Sequence, residues 1–439
     1  MSVRESTFCS IFIKPRLLVL SFASAMAAFG SASAVAEVST EFGGFLDSRL
    51  GARTVDDPYS DTLSLGESRL QLGATVYTDQ LTGVVKGDLL FDAVDQNRSN
   101  LNLETGRGVF DLREAYLQGS PTDALDIKFG RQILTWGTGD LVFINDLFPK
   151  DWNSFFSGRD QEYLKAPSDA LLVSLFPGEW TVDLGMTPRF DADRFINGER
   201  FSFYSPLQGG LTGEDNSLRA SAPDEWFADA EYFARLARTI GSYELAVYGY
   251  DGFWKSPGGF DLNSGQAIFP KLSVVGASLR GPLYQGIANL ETGYYHSRED
   301  TSGTDPLVNN SEFRFLAGYS QEVVSDLSVG LQYYIEQMLD YTSYRVSLPS
   351  GMPERDEMRH LLTWRVTQMA LQQNLMLSFF VYFSPTDSDV YARPYVSYKA
   401  SDEWLLFAGG NIFGGRDQNT FFGQFDLNDN VYTGARYSF

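Results

Sequence analysis

The sequence predicts an all-β chain folded as a single transmembrane antiparallel β-barrel of about 18 strands, with about 16 as the alternative. Three observations predict it. Segments of about ten residues alternate between apolar and polar side chains over most of the chain. The connections between them are short and long in turn. The closing stretch Asn430 to Phe439 carries an apolar face to its last residue.

The chain opens with Arg4, Lys14 and Arg16, then an uncharged run from Leu17 to Phe29, then small residues leading to Ala34-Val35-Ala36. A basic start, a short apolar core and a small-residue site make a secretory signal peptide, here 1–36, cut before Glu37. The apolar run is too short to cross a membrane comfortably. It leaves 37–439 as one barrel domain. Cys9 is the only cysteine and departs with the signal, so no disulfide can stabilise the mature chain. A closed ladder of hydrogen-bonded strands offers another source of stability.

Along the mature chain the strands read as period-two patterns. Leu70, Leu72, Ala74 and Val76 share one face, and Glu67, Arg69, Gln71 and Thr75 the other. Leu89 and Phe91 oppose Lys86, Asp88 and Asp92. Trp180, Val182, Leu184 and Met186 oppose Thr181, Asp183 and Thr187. Phe313, Phe315, Ala317 and Tyr319 oppose Glu312, Arg314, Gly318 and Ser320. Leu375, Leu377, Phe379, Val381 and Phe383 form another apolar face, as do Trp404, Leu406, Ala408 and Ile412. Short connections fall at 78–80, 177–179, 240–242, 324–326 and 400–402. Long ones fall at 136–168, 189–228, 255–270, 299–310 and 340–355. The segment 189–228, with its Gly, Pro and charges, reads as an exposed surface loop.

The connection 136–168 follows the fifth strand and is the third outer loop. Gly130-Arg131-Gln132…Trp136-Gly137 leads into it, and then come Phe143, Phe148, Trp152, Phe155 and Phe156. So many rings need a surface to pack on, and folding into the barrel supplies one. Within it, Asp140, Asp146, Asp151, Asp160 and Glu162 form a candidate constriction set. Arg49, Arg69, Lys86, Arg113, Arg235, Arg314, Arg365 and Arg393 fall on inward phases as candidate pore-wall cations. Opposed walls of fixed charge set ion selectivity in pores.

The ending alternates Val431, Thr433, Ala435, Tyr437 and Phe439 on one face with Tyr432, Gly434, Arg436 and Ser438 on the other. It resembles the terminal strand of Gram-negative outer-membrane β-barrels of the porin type. That resemblance implies that Tyr437 and Phe439 are an assembly signal read by the barrel-assembly machinery. The long third loop resembles the inward-folded loop of diffusion porins. The Gly-Arg-Gln…Trp-Gly stretch also resembles porin-like families related to alginate-export barrels. The resemblance implies a channel in the outer membrane, a monomer or homotrimer, in contact with lipid and lipopolysaccharide.

Composition sets bounds on function. The net charge of −22 comes without a basic run, which excludes nucleic acid as a partner. A mean hydropathy of −0.19 still suits strands that are apolar on one face only. His296 and His360 are the only histidines, and no nucleophile–base set surrounds either, so the chain is not expected to be an enzyme. No metal-ligand spacing and no cofactor motif occurs; Asp426-Leu427-Asn428-Asp429-Asn430 lacks the Gly and the Glu of a calcium loop. The expected function is passive diffusion of small polar solutes or ions. The alternatives are a substrate-specific export or uptake barrel, for an acidic polysaccharide or a hydrophobic compound, and a non-conducting structural barrel.

Overall fold

The computed structural model describes residues 38–94 and 108–439. The signal segment 1–36 lies outside the described residues. The remaining chain forms one compact unit, 39–439. Its first six barrel strands are β1 (Ser39–Arg53), β2 (Leu63–Tyr77), β3 (Leu81–Asp92), β4 (Phe110–Thr122), β5 (Leu125–Gln132) and β6 (Ser168–Leu175). Next come β7 (Trp180–Thr187), β8 (Glu231–Ile240), β9 (Tyr243–Phe253), β10 (Lys271–Leu283), β11 (Gly286–Ser297) and β12 (Glu312–Val324). The set ends with β13 (Leu327–Met338), β14 (Met358–Ala370), β15 (Leu375–Ser384), β16 (Asp389–Lys399), β17 (Trp404–Gly415) and β18 (Asn430–Ser438).

Each strand pairs antiparallel with its sequence neighbours, and β18 returns to β1 with a register from Phe45↔Ser438 to Arg53↔Asn430. The sheet of 18 strands is therefore closed, as the sequence predicts. Closure pairs every edge, the condition for crossing lipid with strands. Turns are tight at one end, for example 78–80, 241–242 and 325–326, and loops are long at the other, as at 133–167 and 188–230. Both 39 and 439 lie at the turn end.

The outward phase is apolar. Phe42, Leu50, Leu72, Leu89, Leu236, Val247, Val275, Leu331, Leu362 and Val431 are all exposed. Trp180, Tyr243, Trp404 and Tyr437 gather near the turn end of this belt, and Phe91, Tyr232, Tyr294 and Phe313 near the loop end. Rings with a polar edge favour those boundaries. Tyr437 packs on Trp404 with centroids 5.1 Å apart. Phe439 extends the seam by backbone: its N–H donates to Gly44 O at 3.0 Å, and Gly44 N–H donates to Phe439 O at 3.1 Å.

Candidate functional site in the barrel lumen

The lumen is not a simple water-filled tube. The segment 133–167 enters it after β5 and crosses it. A short helix, α1 (Trp152–Ser157), lies within this segment. Asp151 caps its start by accepting a hydrogen bond from Ser154 N–H at 2.7 Å, and Gly158 ends it at φ 86°. A Cβ at Gly158 would lie 2.3 Å from the Tyr432 ring, so only glycine fits this turn against β18. The helix rings Phe155 and Phe156 join Tyr382, Tyr391, Phe413, Phe422 and Phe425 in one buried cluster inside the barrel. The packing that a solvent-exposed loop would lack is thus supplied by the wall and by a second loop.

Polar contacts fix the segment all round the circumference. Gln332 of β13 receives a hydrogen bond from Asp140 N–H at 2.7 Å and donates to Asp140 O at 2.8 Å. The Tyr382 hydroxyl of β15 donates to Leu141 O at 2.8 Å, and the Tyr295 hydroxyl of β11 donates to Ile144 O. Arg49 of β1 donates to Gly158 O at 2.7 Å, and Arg113 of β4 donates to Lys165 O at 2.8 Å. Buried backbone groups need partners, and here the wall side chains provide them.

The five candidate constriction acids divide into two groups. Asp140 pairs with Arg365 of β14 at 2.5 Å, Asp160 with Arg436 of β18 at 3.3 Å, and Glu162 with Arg436 at 3.0 Å. These three meet wall cations. Asp146 instead pairs with Lys150 at 2.9 Å, and Asp151 caps α1 beside Arg194 at 3.4 Å. The expectation that these two face the wall is corrected: Asp146 serves its own segment, and Asp151 serves its own helix and Arg194 of segment 188–230.

The candidate wall cations divide similarly. Arg69 is sandwiched by Glu67 at 2.9 Å and Asp88 at 2.6 Å, with its guanidinium 4.0 Å from the Tyr163 ring centre. Arg113 faces the same ring at 4.9 Å. Arg49 lies between Asp47 at 2.7 Å and the Phe407 ring at 4.2 Å. Arg235 bridges Asp183 and Glu244, Lys86 reaches Glu114 at 3.0 Å, and Arg314 lies between Glu312 and Glu336. Most of these charges are neutralised by their own wall and act as struts. Arg393 of β16 differs. It stacks on Phe155 at 4.3 Å and makes no ion pair among the described residues.

The segment 188–230 is an exposed loop only in part, as at 206–209 and 224–228; its stretch 190–203 turns inward. Phe201 is 1% exposed, and Arg194 reaches Asp111 of β4 at 3.0 Å. Arg200 reaches Asp92 of β3, and Asn428 donates to Ser202 O at 2.9 Å. Asp193 accepts from Lys150 N–H, Trp152 Nε1–H and Ser256 Oγ–H; burial still pushes its carboxyl above the usual range. Burial likewise pushes Asp191 up to about 6, against the opposing pull of Lys255. Trp226 and Phe227 remain exposed at the far end of this loop. What drew the inner part inside is the two neighbouring segments it pairs with, which composition does not encode.

Above the inward segments, at the loop end, lies a vestibule of about 670 Å³. Its floor is Leu141, Val142, Phe143, Leu147 and Trp152; its rim carries Glu312, Arg314, Glu336, Arg355, Arg359 and Arg416. The volume lies in the usual range for ligand sites. His296 and His360 have no part in it. His296 stacks beside Tyr294 and His360 accepts or donates a 2.7 Å hydrogen bond with Tyr333, both on the outward face.

The residues that hold the segment were missed by sequence reasoning: Gln332, Tyr382, Tyr391 and above all Glu291. One partial signal existed for Glu291: its directly opposed neighbours are Ser278 and Leu316, neither a cation. Among the described residues the diagonal neighbours Arg280 and Arg314 do not pair with it, and its partners come from the lumen.

No known family model and no curated protein matches the sequence. Solved structures match the fold. Pseudomonas aeruginosa OccD3 (OpdP) superposes with a TM-score of 0.53 at 7% identity, covering 91% of this chain and 91% of that one. Acinetobacter baumannii OccAB4 gives 0.52 at 9% identity, covering 91% and 98%. The fold is that of a porin-type outer-membrane barrel. Pseudomonas aeruginosa OccK5 (OpdH) gives 0.51 at 8% identity, covering 91% and 97%. The outward apolar belt marks this barrel as one that crosses a lipid bilayer.

Proposed function

We propose that this barrel is a restricted outer-membrane channel that passes small polar solutes or ions down their own gradient. The observation that carries it is the polar-walled lumen crossed by segment 133–167, which is held to the wall by side chains rather than by the strand ladder. A barrel of this strand number encloses space beyond what wall side chains fill. The inward segments reduce that space and leave the vestibule as the entry chamber. In this proposal the acid–base contacts between Asp140, Asp160, Glu162 and the wall arginines line the narrowest passage, and Arg393 adds a wall cation that makes no ion pair among the described residues. Export of the chain, recognition of Tyr437 and Phe439 by the barrel-assembly machinery, and contact with lipopolysaccharide belong to the same proposal.

A second reading, a substrate-specific uptake or export barrel, is favoured by one observation: the vestibule floor is apolar and aromatic. Such a floor suits a solute with a hydrophobic part better than a fully hydrated ion. Single-channel recording of the refolded signal-less chain in a planar bilayer tests both. Discrete steps with simple salts support the restricted channel. Silence with salts but steps or swelling with an amphipathic solute supports the specific barrel. Silence throughout, from a correctly folded protein, leaves a structural barrel.

A further inference from the structure

Glu291 stands at an inward position near the middle of β11 and is 1% exposed. Among the described residues its carboxylate accepts hydrogen bonds only from uncharged donors of the inward segment. Oε2 accepts from Thr138 N–H at 2.8 Å, Thr138 Oγ1–H at 3.1 Å and Gly139 N–H at 3.1 Å. Oε1 accepts from Asn145 N–H at 2.7 Å and Asn145 Nδ2–H at 3.0 Å. Backbone N–H groups converging on one anion make a nest, a concavity built for negative charge. This nest comes from a folded-back turn, and its own geometry is shaped for it. Gly137 has φ 80°, and a Cβ there would lie 2.8 Å from Glu291 Oε1. Leu141 takes φ 58°, a strained value for a branched side chain, where the turn reverses. Asn145 is braced by Thr292 O at 3.2 Å, and Thr138 O accepts from Asn289 Nδ2–H at 3.1 Å. A turn with five donors aimed at one carboxylate is a receptor, and the strand has supplied its ligand.

We propose that Thr138–Asn145 is a carboxylate-binding nest, that Glu291 is its resident internal ligand, and that this contact is the catch that holds the inward segment across the lumen. A small free monocarboxylate is the ligand that takes the vacated place when the Glu291 side chain is removed. Two features favour exchange. The donors carry no charge of their own, so no ion pair has to be broken along with the hydrogen bonds. Thr138, Gly139 and Asp140 are only partly buried, which leaves the nest reachable from the lumen. The conductance part of the test rests on the channel reading above; the binding part does not.

The test uses the full mature chain refolded in detergent, as wild type and as Glu291→Ala, with sodium acetate against sodium chloride at equal ionic strength. The variant is expected to bind 13C-acetate saturably, seen as line broadening that wild type does not produce. Its segment is expected to be cut by protease several-fold faster than in wild type, and acetate should slow the cutting. In bilayers its conductance should rise several-fold and fluctuate, and acetate should return it towards wild type. A variant with no acetate binding and wild-type protease resistance overturns the nest and the catch together. Acetate binding without any conductance in either protein keeps the nest and removes only the channel reading. Should Glu291→Ala fail to refold, Thr138→Val and Asn145→Ala each remove donors while keeping the carboxylate. Graded loosening in these two supports the catch, and wild-type behaviour in both overturns it.

Discussion

Replacing Phe156 by Ala should loosen the inward segment and leave the barrel standing. Phe156 is 2% exposed and sits at the centre of the lumen cluster. Its ring lies 4.9 Å from Phe425, 5.2 Å from Phe155, 5.3 Å from Tyr391 and 5.4 Å from Phe413, with Trp152 and Phe201 slightly farther away. Removing a ring so enclosed costs about 3–5 kcal/mol, from lost transfer energy and the cavity left behind. Phe156 belongs to α1 and takes no part in the strand ladder, so the loss falls on the docked arrangement of the segment. At about 1.4 kcal/mol per tenfold, the undocked population should rise by about two to three and a half orders of magnitude. Single-channel recording should show more frequent or larger openings, and limited proteolysis should cut within 133–167. The heat-modified mobility that marks an intact barrel should not change. Wild-type conductance together with wild-type protease resistance would show that the cluster does not hold the segment in place.

Four further outcomes are expected. Deleting Phe439 removes the reciprocal Gly44 hydrogen bonds and the last ring of the seam; fractionation should find protein in the periplasm, and normal surface levels would count against the assembly signal. Arg69→Ala leaves the buried Asp88 without its cation, while Glu67 keeps Arg159 at 2.7 Å, so it should destabilise by roughly 3 kcal/mol in denaturant titration rather than merely shift selectivity. Arg393→Ala removes a wall charge that no carboxylate pairs with, so the reversal potential in a salt gradient should move towards cation selectivity; an unmoved potential takes Arg393 off the ion path. For Asp191 the folded value is raised to about 6, so the folded state binds a proton that the unfolded chain does not hold until lower pH. Docking of 188–230 should therefore strengthen as pH falls from above 6 towards 4, and Asp191→Asn should flatten that slope in pH-dependent proteolysis.

The sequence by itself determined the barrel. Period two is a local property, and each strand displays it without reference to its neighbours, as in Leu70, Leu72, Ala74 and Val76 or in Val431 to Phe439. The short turns at 78–80 and 400–402 and the long connections at 136–168 and 299–310 were legible for the same reason. The crowding of rings between Phe143 and Phe156 also announced that the third loop must pack somewhere. Only the tertiary structure decided what meets what inside. Arg69 and Arg393 look alike as inward arginines, yet one is neutralised by its own strand and its cross-strand partner, and the other is not. Asp146 and Asp160 look alike as loop acids, yet one serves its own segment and the other reaches β18. The inward course of 190–203 and the hold of Glu291 on Thr138–Asn145 depend on residues from 43 to 226 positions apart. A chain's alternation is set by which side chain each residue carries; the pairing of charges in a lumen is set by which distant residues closure brings within hydrogen-bond reach.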